Sequence, residues 1–470
     1  MRPASSGLSI ADDRRGAVAV VFALAIMSMV GMLGLVIDYG VKLSYQTQLN
    51  NAADAAALAA IEAAQADIIA NQSTSQAIAG ATSSAGKAFQ ANAGAAYALV
   101  GQAPSVSVTR SGQTFNATVS YAASAPTAFG HIFGINTMAI GGTSSSSVTM
   151  GRYLSFYLLL DVSESMGIPS TASDQNRLAT INPDQRNLYP TGCTLACHFT
   201  TYAACQNAQG KTVYCQGYNL SRTAGGSGPA VSYCQQPGLS TCIQLRVDAV
   251  AYAVQQLMLT AQSTELYPNQ FAVGLYPFAV NMATAQALTT NLTALSNAAT
   301  QVPATLDDGD GSGNSYGSGK LGSGGTHFEN ALQEINSAIA SVGDGSSQPS
   351  LLPFVFLVTD GAEDVQTQDN GSWSGSNHAT TLNQANCTTL KNRGITLSIL
   401  YIPYVPIQDP NPSFAGDEDD AANNNIVNIP PSLQSCASPG FFFTASAPSD
   451  ITAAMQAMFE QSLQAARLTQ

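Results

Sequence analysis

Charge is scarce in this chain, and positive charge scarcest of all. Asp, Glu, Lys and Arg make up 10% of the 470 residues, with 16 Lys and Arg against 29 Asp and Glu. A net charge of −13 and a pI near 4.5 exclude nucleic acid as a partner, since that needs a basic face. No basic cluster exceeds Arg14-Arg15. The chain also lacks an HExxH pattern, a P-loop and any nucleophile set beside its base. Metal-dependent hydrolysis and nucleotide hydrolysis lose their usual signatures, so a non-enzymatic protein is expected. The weakly charged composition, rich in Ala, Ser, Gly, Thr and Asn, fits an extracytoplasmic protein.

A long apolar run is present once. Ala17 to Ile37 carries no charge over 21 residues, enough to cross a bilayer as a helix. A cleaved signal peptide would have a shorter core and a small-x-small site after it. Here the run passes through Asp38-Tyr39-Gly40 into helix-forming sequence, which predicts an uncleaved anchor. Arg2, Arg14 and Arg15 precede the run and only Lys42 follows closely. The positive-inside rule then keeps residues 1–16 in the cytoplasm and exports the rest.

The eight cysteines agree with export. Six lie together, at Cys193, Cys197, Cys205, Cys215, Cys234 and Cys242, and their pairing is left open among 15 possibilities. Cys387 and Cys436 remain as the natural second group, and disulfides are expected throughout. Cys193-x3-Cys197-His198 misses the C-x-x-C-H spacing of covalently bound haem.

Val41 to about Ala70 is rich in helix formers and free of Pro. It should extend the membrane helix as a stalk, whose alanines would let another helix, including a second copy, approach closely. Residues 71–101 are Ala-rich and low in complexity, so a helix there should fray. Ser105 to Tyr121 alternates apolar and polar residues around Arg110-Ser111-Gly112-Gln113, which predicts a β-hairpin. Further on, Tyr153 to Leu160, Phe271 to Val280, Phe354 to Thr359 and Ile395 to Ile402 are apolar, β-prone runs. Val247, Val250, Val254, Leu257 and Met258 recur at helical spacing between the first two. Strands alternating with helices predict an α/β fold with a doubly wound, mostly parallel sheet. Asp308, Asp310 and Ser312 lack the glutamate that would close a calcium loop, and the acidic run Asp417 to Asp420 is expected to be solvated surface.

Three distant stretches carry oxygen ligands. YLLLDVSESM holds Asp161, Ser163 and Ser165; SGGTHFENAL holds Thr326; VFLVTDGAED holds Asp360. In the first and third, a buried strand stops at an aspartate, and ligands collect at that edge of an α/β sheet. Two carboxylates and three hydroxyls are hard donors that suit Mg²⁺ or Mn²⁺ better than zinc, with Ca²⁺ left open. His327, beside Thr326, is expected to cap or pack the helix that begins there.

In order and context these residues resemble the metal-ion-dependent adhesion site of the von Willebrand factor A (vWA) domain family. The resemblance spans about residues 152–465, with a Cys-rich insertion at 167–241. It implies that Ser163, Ser165 and Thr326 touch the cation directly, and that Asp161 and Asp360 do so directly or through water. It also implies an open coordination position for an Asp or Glu of a partner protein.

A second resemblance lies at the N-terminus. Arg14-Arg15-Gly16, the apolar span, Asp38 and Leu49-Asn50-Asn51-Ala52-Ala53-Asp54 together resemble TadG-like proteins of the Tad/Flp pilus-assembly system. Related pilin-like proteins carry a Glu where this chain has Val21. Its absence argues against a filament subunit processed after Gly16. The expected organisation is a tail (1–16), a transmembrane helix (17–37), a helical stalk (38–101), a small β-rich module (102–150) and the vWA domain. The expected role is metal-dependent binding of an envelope or pilus protein at the bacterial inner membrane, with the bulk of the chain periplasmic. A stand-alone surface adhesin is the alternative.

Overall fold

A computed structural model describes residues 14–70, 72–181, 234–239, 242–307, 319–369, 372–375, 379–403 and 418–468, with short strand segments at 205–206, 212–213 and 315–316. The chain divides into two compact units, residues 1–150 and 151–470.

In the first unit a single helix, α1 (Arg14–Ile69), carries the apolar run straight into the stalk. Phe22, Leu24, Met27, Leu33 and Val36 are each more than half exposed. So much bare apolar surface on a helix long enough to cross a bilayer supports a single-pass membrane protein. Residues 74–93 are not frayed. A second helix, α2 (Thr74–Ala93), starts with a capping box in which Ser73 and Gln76 satisfy each other's backbone amides. Ala77, Ala81, Ala85, Phe89 and Ala93 recur every fourth residue and are fully buried. α2 packs on α1, where Ala52, Ala56, Ala60 and Ala64 are equally buried. The close approach that alanine allows is therefore taken up within one chain on this face, not held open for a second copy.

Three antiparallel strands complete this unit in sequential order: β1 (Ser105–Ser111), β2 (Thr114–Pro126) and β3 (Thr137–Thr149). Phe115, Ala117, Val119 and Tyr121 alternate inward, and the Tyr121 hydroxyl donates to Asn50 Oδ1 of α1 at 2.7 Å.

The second unit is built on a six-stranded sheet. Its strands are β4 (Leu154–Asp161), β5 (Phe271–Phe278), β6 (Gln286–Thr289), β7 (Leu352–Thr359), β8 (Thr396–Tyr401) and β9 (Phe442–Thr444). The spatial order is β9-β8-β7-β4-β5-β6, parallel throughout except for the β5–β6 edge. β4 is buried along its whole length, as a central parallel strand covered on both faces should be. Leu154, Phe156, Leu158 and Leu160 face a core shared with α3 (Arg246–Thr264) and α7 (Pro448–Leu468). Tyr157 and Leu159 face the other, shared with α4 (Phe328–Ala338), α5 (Gln384–Asn392) and α6 (Ile429–Cys436). Phe156 sits at the centre of the first, its ring 5.2–6.1 Å from those of Phe271, Phe354, Phe356 and Phe459. This is the vWA-like arrangement, a mixed sheet with helices on both faces.

Cys387 and Cys436 are bonded, tying α5 to α6 with Cα atoms 5.4 Å apart. Cys234 bonds Cys242 at 6.0 Å, which fixes one pair of the six-cysteine group. The side chains of Cys193, Cys197, Cys205 and Cys215, together with His198, Asp308, Asp310, Ser312 and Asp417 to Asp420, lie outside the described residues.

Candidate metal centre

The sheet order explains how distant residues meet. β4 and β7 are neighbours and run in parallel, with Leu160 opposite Val358. The next residues are Asp161 on one strand and Thr359 on the other, with Asp360 one place beyond, so both aspartates leave the same sheet edge. Asp161 is 1% exposed. Its Oδ1 accepts the Ser163 amide (3.0 Å) and hydroxyl (2.6 Å), and its Oδ2 accepts the Thr359 hydroxyl (2.5 Å). The Ser163 and Ser165 hydroxyl oxygens lie 3.3 Å apart.

Asp360 is fully buried. Its Oδ2 accepts Nη1 of Arg246 at 3.1 Å, while its Oδ1 makes no hydrogen bond of ordinary geometry. Gly361 then turns the chain at φ 82°, and its amide donates to the Thr359 hydroxyl at 2.8 Å. A Cβ there would sit 2.6 Å from Ile429, so this turn needs glycine on both counts.

Thr326 arrives from the loop before α4. Its backbone forms a two-hydrogen-bond bridge with Asp364, at 2.9 and 3.1 Å. Asp307 braces the same loop, its carboxylate accepting the Ser323 hydroxyl (2.7 Å) and the Gly324 amide (2.8 Å). The result is one cleft lined by Ser163, Ser165, Thr326, Gly325, Ala362 and Asp364. Three of the five candidate ligands line it directly. Asp161 and Asp360 stand behind, joined to it through Ser163 and Ser165.

The electrostatics are those of two carboxylates forced together. Burial, and then the charge of Asp360, push Asp161 up to about 7, against the hydrogen bonds from Ser163 and Thr359. Burial also raises Asp360, with the Arg246 guanidinium opposing it. Among the described residues no group of three or more His, Cys, Asp or Glu side chains is disposed to hold a metal. The donor set here is of another kind, two carboxylates with hydroxyls, and hard oxygen donors of this sort fit Mg²⁺ or Mn²⁺. The buried Asp360 Oδ1, which makes no hydrogen bond of ordinary geometry, is an atom that a cation would satisfy.

His327 is not a catalytic base. Its Nδ1 lies 2.7 Å from Glu329 and its Nε2 2.8 Å from the Gln366 carbonyl, so neither nitrogen is left for a serine. Burial works against the charged imidazole, but these two acceptors outweigh it and raise its pKa. Among the described residues of the cleft, nothing pairs a nucleophile with a base.

Sequence reasoning did not find Arg246, Asp307 or Thr359. Thr359 alone had a local signal, as a hydroxyl residue one place before a strand-end aspartate.

A family model described as "Putative Flp pilus-assembly TadE/G-like" matches residues 16–67. No curated protein matches. Among solved structures, the chain is similar to the pilus adhesin SpaC from Lactobacillus rhamnosus GG in its open conformation. That match has 10% identity and a TM-score of 0.33, over 77% of this chain and 33% of that one. It is also similar to the PilB minor pilin from Streptococcus sanguinis, at 10% identity and TM-score 0.32, over 77% and 78% of the two chains. A third is proximal thread matrix protein 1 from the mussel byssus with a zinc-occupied MIDAS motif, at 12% identity and TM-score 0.32, over 67% and 48%. The chain spans about a third of the length of SpaC.

Proposed function

We propose that this chain is a non-enzymatic, single-pass protein of the bacterial inner membrane, with its N-terminus cytoplasmic and its bulk periplasmic. In this reading Asp161, Ser163, Ser165, Thr326 and Asp360 hold a divalent cation, and the loaded site binds an Asp or Glu of an envelope or pilus protein during assembly or anchoring of Tad/Flp-type pili. The observation that carries the site is the meeting of three remote segments at one cleft, backed by two buried carboxylates of which one oxygen lacks a hydrogen bond of ordinary geometry. The pilus context rests on the TadE/G-like match at residues 16–67.

Bound Mg²⁺ would supply positive charge and an open coordination position at the cleft. The chain's own residues do the rest. Ser163, Ser165 and Thr326 offer neutral oxygens at the cleft wall, so they add no negative charge to repel an acidic partner. Asp161 is aimed by Ser163 and Thr359, and Arg246 holds Asp360.

The test is a crosslinking pull-down from intact cells, with and without chelator, on the native chain and on Asp161→Ala. The expected result is a specific partner lost both in EDTA and in the variant, while circular dichroism of the variant stays native. A partner retained in EDTA would sink the metal-dependent mechanism.

A further inference from the structure

The loop between β2 and β3, residues 127–136, is uncharged apart from His131 and exposes large apolar side chains. Ile132 is 69% exposed, Phe133 55% and Ile135 42%. An apolar loop in water is a liability, and this one is held against the apolar part of α1. Gly31, Gly34 and Asp38 are the buried positions on that stretch of α1, at helical spacing, while Met32, Leu33, Val36 and Ile37 around them are exposed. A Cβ on Gly31 would lie 2.6 Å from the Phe133 ring, and one on Gly34 would lie 2.5 Å from Phe129. The two glycines make the groove that seats these aromatic residues. At ~1.5 Å of rise per residue, Gly31 lies about 10 Å before Asp38 along the helix, inside the span.

Backbone at that depth must satisfy its own polar groups, because hydrocarbon offers none. Asp38 takes the amides of Ala128, Phe129 and Gly130 at 2.8, 2.9 and 2.6 Å. The amides of Thr127, Ile132, Gly134 and Ile135 are closed on carbonyls of the same loop, at 3.0–3.1 Å. The Thr127 hydroxyl also donates to the Ile135 carbonyl. Just beyond, Tyr39 and Lys42 mark a headgroup level, with the Lys42 ammonium 5.5 Å from the Tyr39 ring.

We propose that residues 129–135 form a second, shallow membrane anchor, seated among the lipids of the leaflet where the span ends, with Asp38 as the clasp that closes the loop's backbone. The occupant is lipid because the patch continues the lipid-facing surface of α1 without a break. The anchor would resist tilting and rotation of α1 and so fix the height of the stalk above the bilayer. This rests on α1 spanning the membrane and is independent of the metal site.

The test uses the full chain with its single tryptophan removed (Trp373→Phe), reconstituted into vesicles of phosphatidylcholine and phosphatidylglycerol with or without bromine on the acyl chains. One tryptophan is then placed at a time: Ile132→Trp in the loop, Leu24→Trp in the span and Ser145→Trp on an exposed strand position. The expected result is blue-shifted emission and loss of most intensity in brominated vesicles for Ile132→Trp and Leu24→Trp, with Ser145→Trp unaffected. If Leu24→Trp is quenched but Ile132→Trp behaves like Ser145→Trp, the loop lies in water and the anchor is overturned while the span stands. If neither is quenched, the span itself falls, and the anchor with it. Blue-shifted emission at Ile132→Trp without quenching would mean that protein covers the loop, which also overturns the proposal. Phe133→Trp serves as the second loop variant should Ile132→Trp fail to reconstitute.

Discussion

Chelation should make the second unit less stable as pH rises, which is the reverse of ordinary carboxylate behaviour. The cause is Asp161, whose carboxyl is raised from an ordinary 3.8 to about 7, mainly by burial and next by Asp360. In the unfolded chain it titrates near 3.8. Between pH 4 and 7 the native state therefore holds a proton that the unfolded state has released. Stability in EDTA is fully present below the unfolded value and is lost as pH rises through the folded one. That rise corresponds to roughly 4 kcal/mol as an upper bound, since one pKa unit is worth about 1.4 kcal/mol. A cation that binds the ionised pair reverses the loss, contributing about 2.7 kcal/mol at a hundred times its Kd. The assay is thermal unfolding of the detergent-solubilised chain at pH 5 and pH 7.5, in EDTA and in Mg²⁺. The expected Tm in EDTA is several degrees lower at pH 7.5, and Mg²⁺ should restore it there with little effect at pH 5. Asp161→Asn should abolish the Mg²⁺ response and reduce the pH slope, leaving the part due to Glu363, which burial and next Glu329 likewise push up to about 7. A native chain whose Tm in EDTA is flat or rises over that interval, with no Mg²⁺ response, would refute the reasoning.

Arg246→Met removes the guanidinium from Asp360, so it should cost roughly 3–5 kcal/mol in EDTA while enlarging the Mg²⁺-induced rise in Tm; a smaller Mg²⁺ response than the native chain's would count against the assigned role. Replacing Cys387 and Cys436 with Ser opens a cross-link between residues 49 apart and should lower stability by about 4 kcal/mol on the chain-entropy model, read by urea denaturation with and without reductant. Phe156→Ala empties the centre of a five-ring cluster and should cost roughly 3–5 kcal/mol, measured as a shift in denaturation midpoint at unchanged slope.

What the sequence made legible was whatever is written locally. β4 and β7 announce themselves as unbroken apolar runs, and their ends are marked because a buried parallel strand cannot carry an aspartate until it reaches the sheet edge. The placing of Asp161 and Asp360 in one site rested on those strand ends taken together with the Thr326 stretch and the resemblance to the vWA site. Arg246 was hidden because its partner Asp360 lies 114 residues away and nothing at the start of α3 singles it out. Asp307 was hidden for the same reason, since a loop carboxylate that braces another loop has no periodicity. The helix α2 was misjudged on a different count. Low complexity suggested fraying, but spacing every four residues from Ala77 to Ala93 is a packing face, and the partner that stabilises it is the alanine face of α1. The loop at 127–136 was unreadable because its apolar residues make sense only beside Gly31 and Gly34, about a hundred residues earlier in the chain.

Arg246 also decides the sign of the proposed site. Asp161 and Asp360 carry two negative charges when ionised, and Glu164 and Asp364 at the cleft wall add two more. Against these, a divalent cation alone would leave the loaded cleft net negative, and an acidic side chain would be repelled. The buried guanidinium at 3.1 Å from Asp360 offsets one of these charges. The carboxylate of a partner then meets a cleft that is less negative than its carboxylates alone would make it and positive at the cation, where the neutral serine and threonine oxygens leave the charge unscreened. Loss of Arg246 should accordingly separate two properties that usually move together. The cation should bind more tightly because the site is more negative, and the acidic partner should bind more weakly for the same reason.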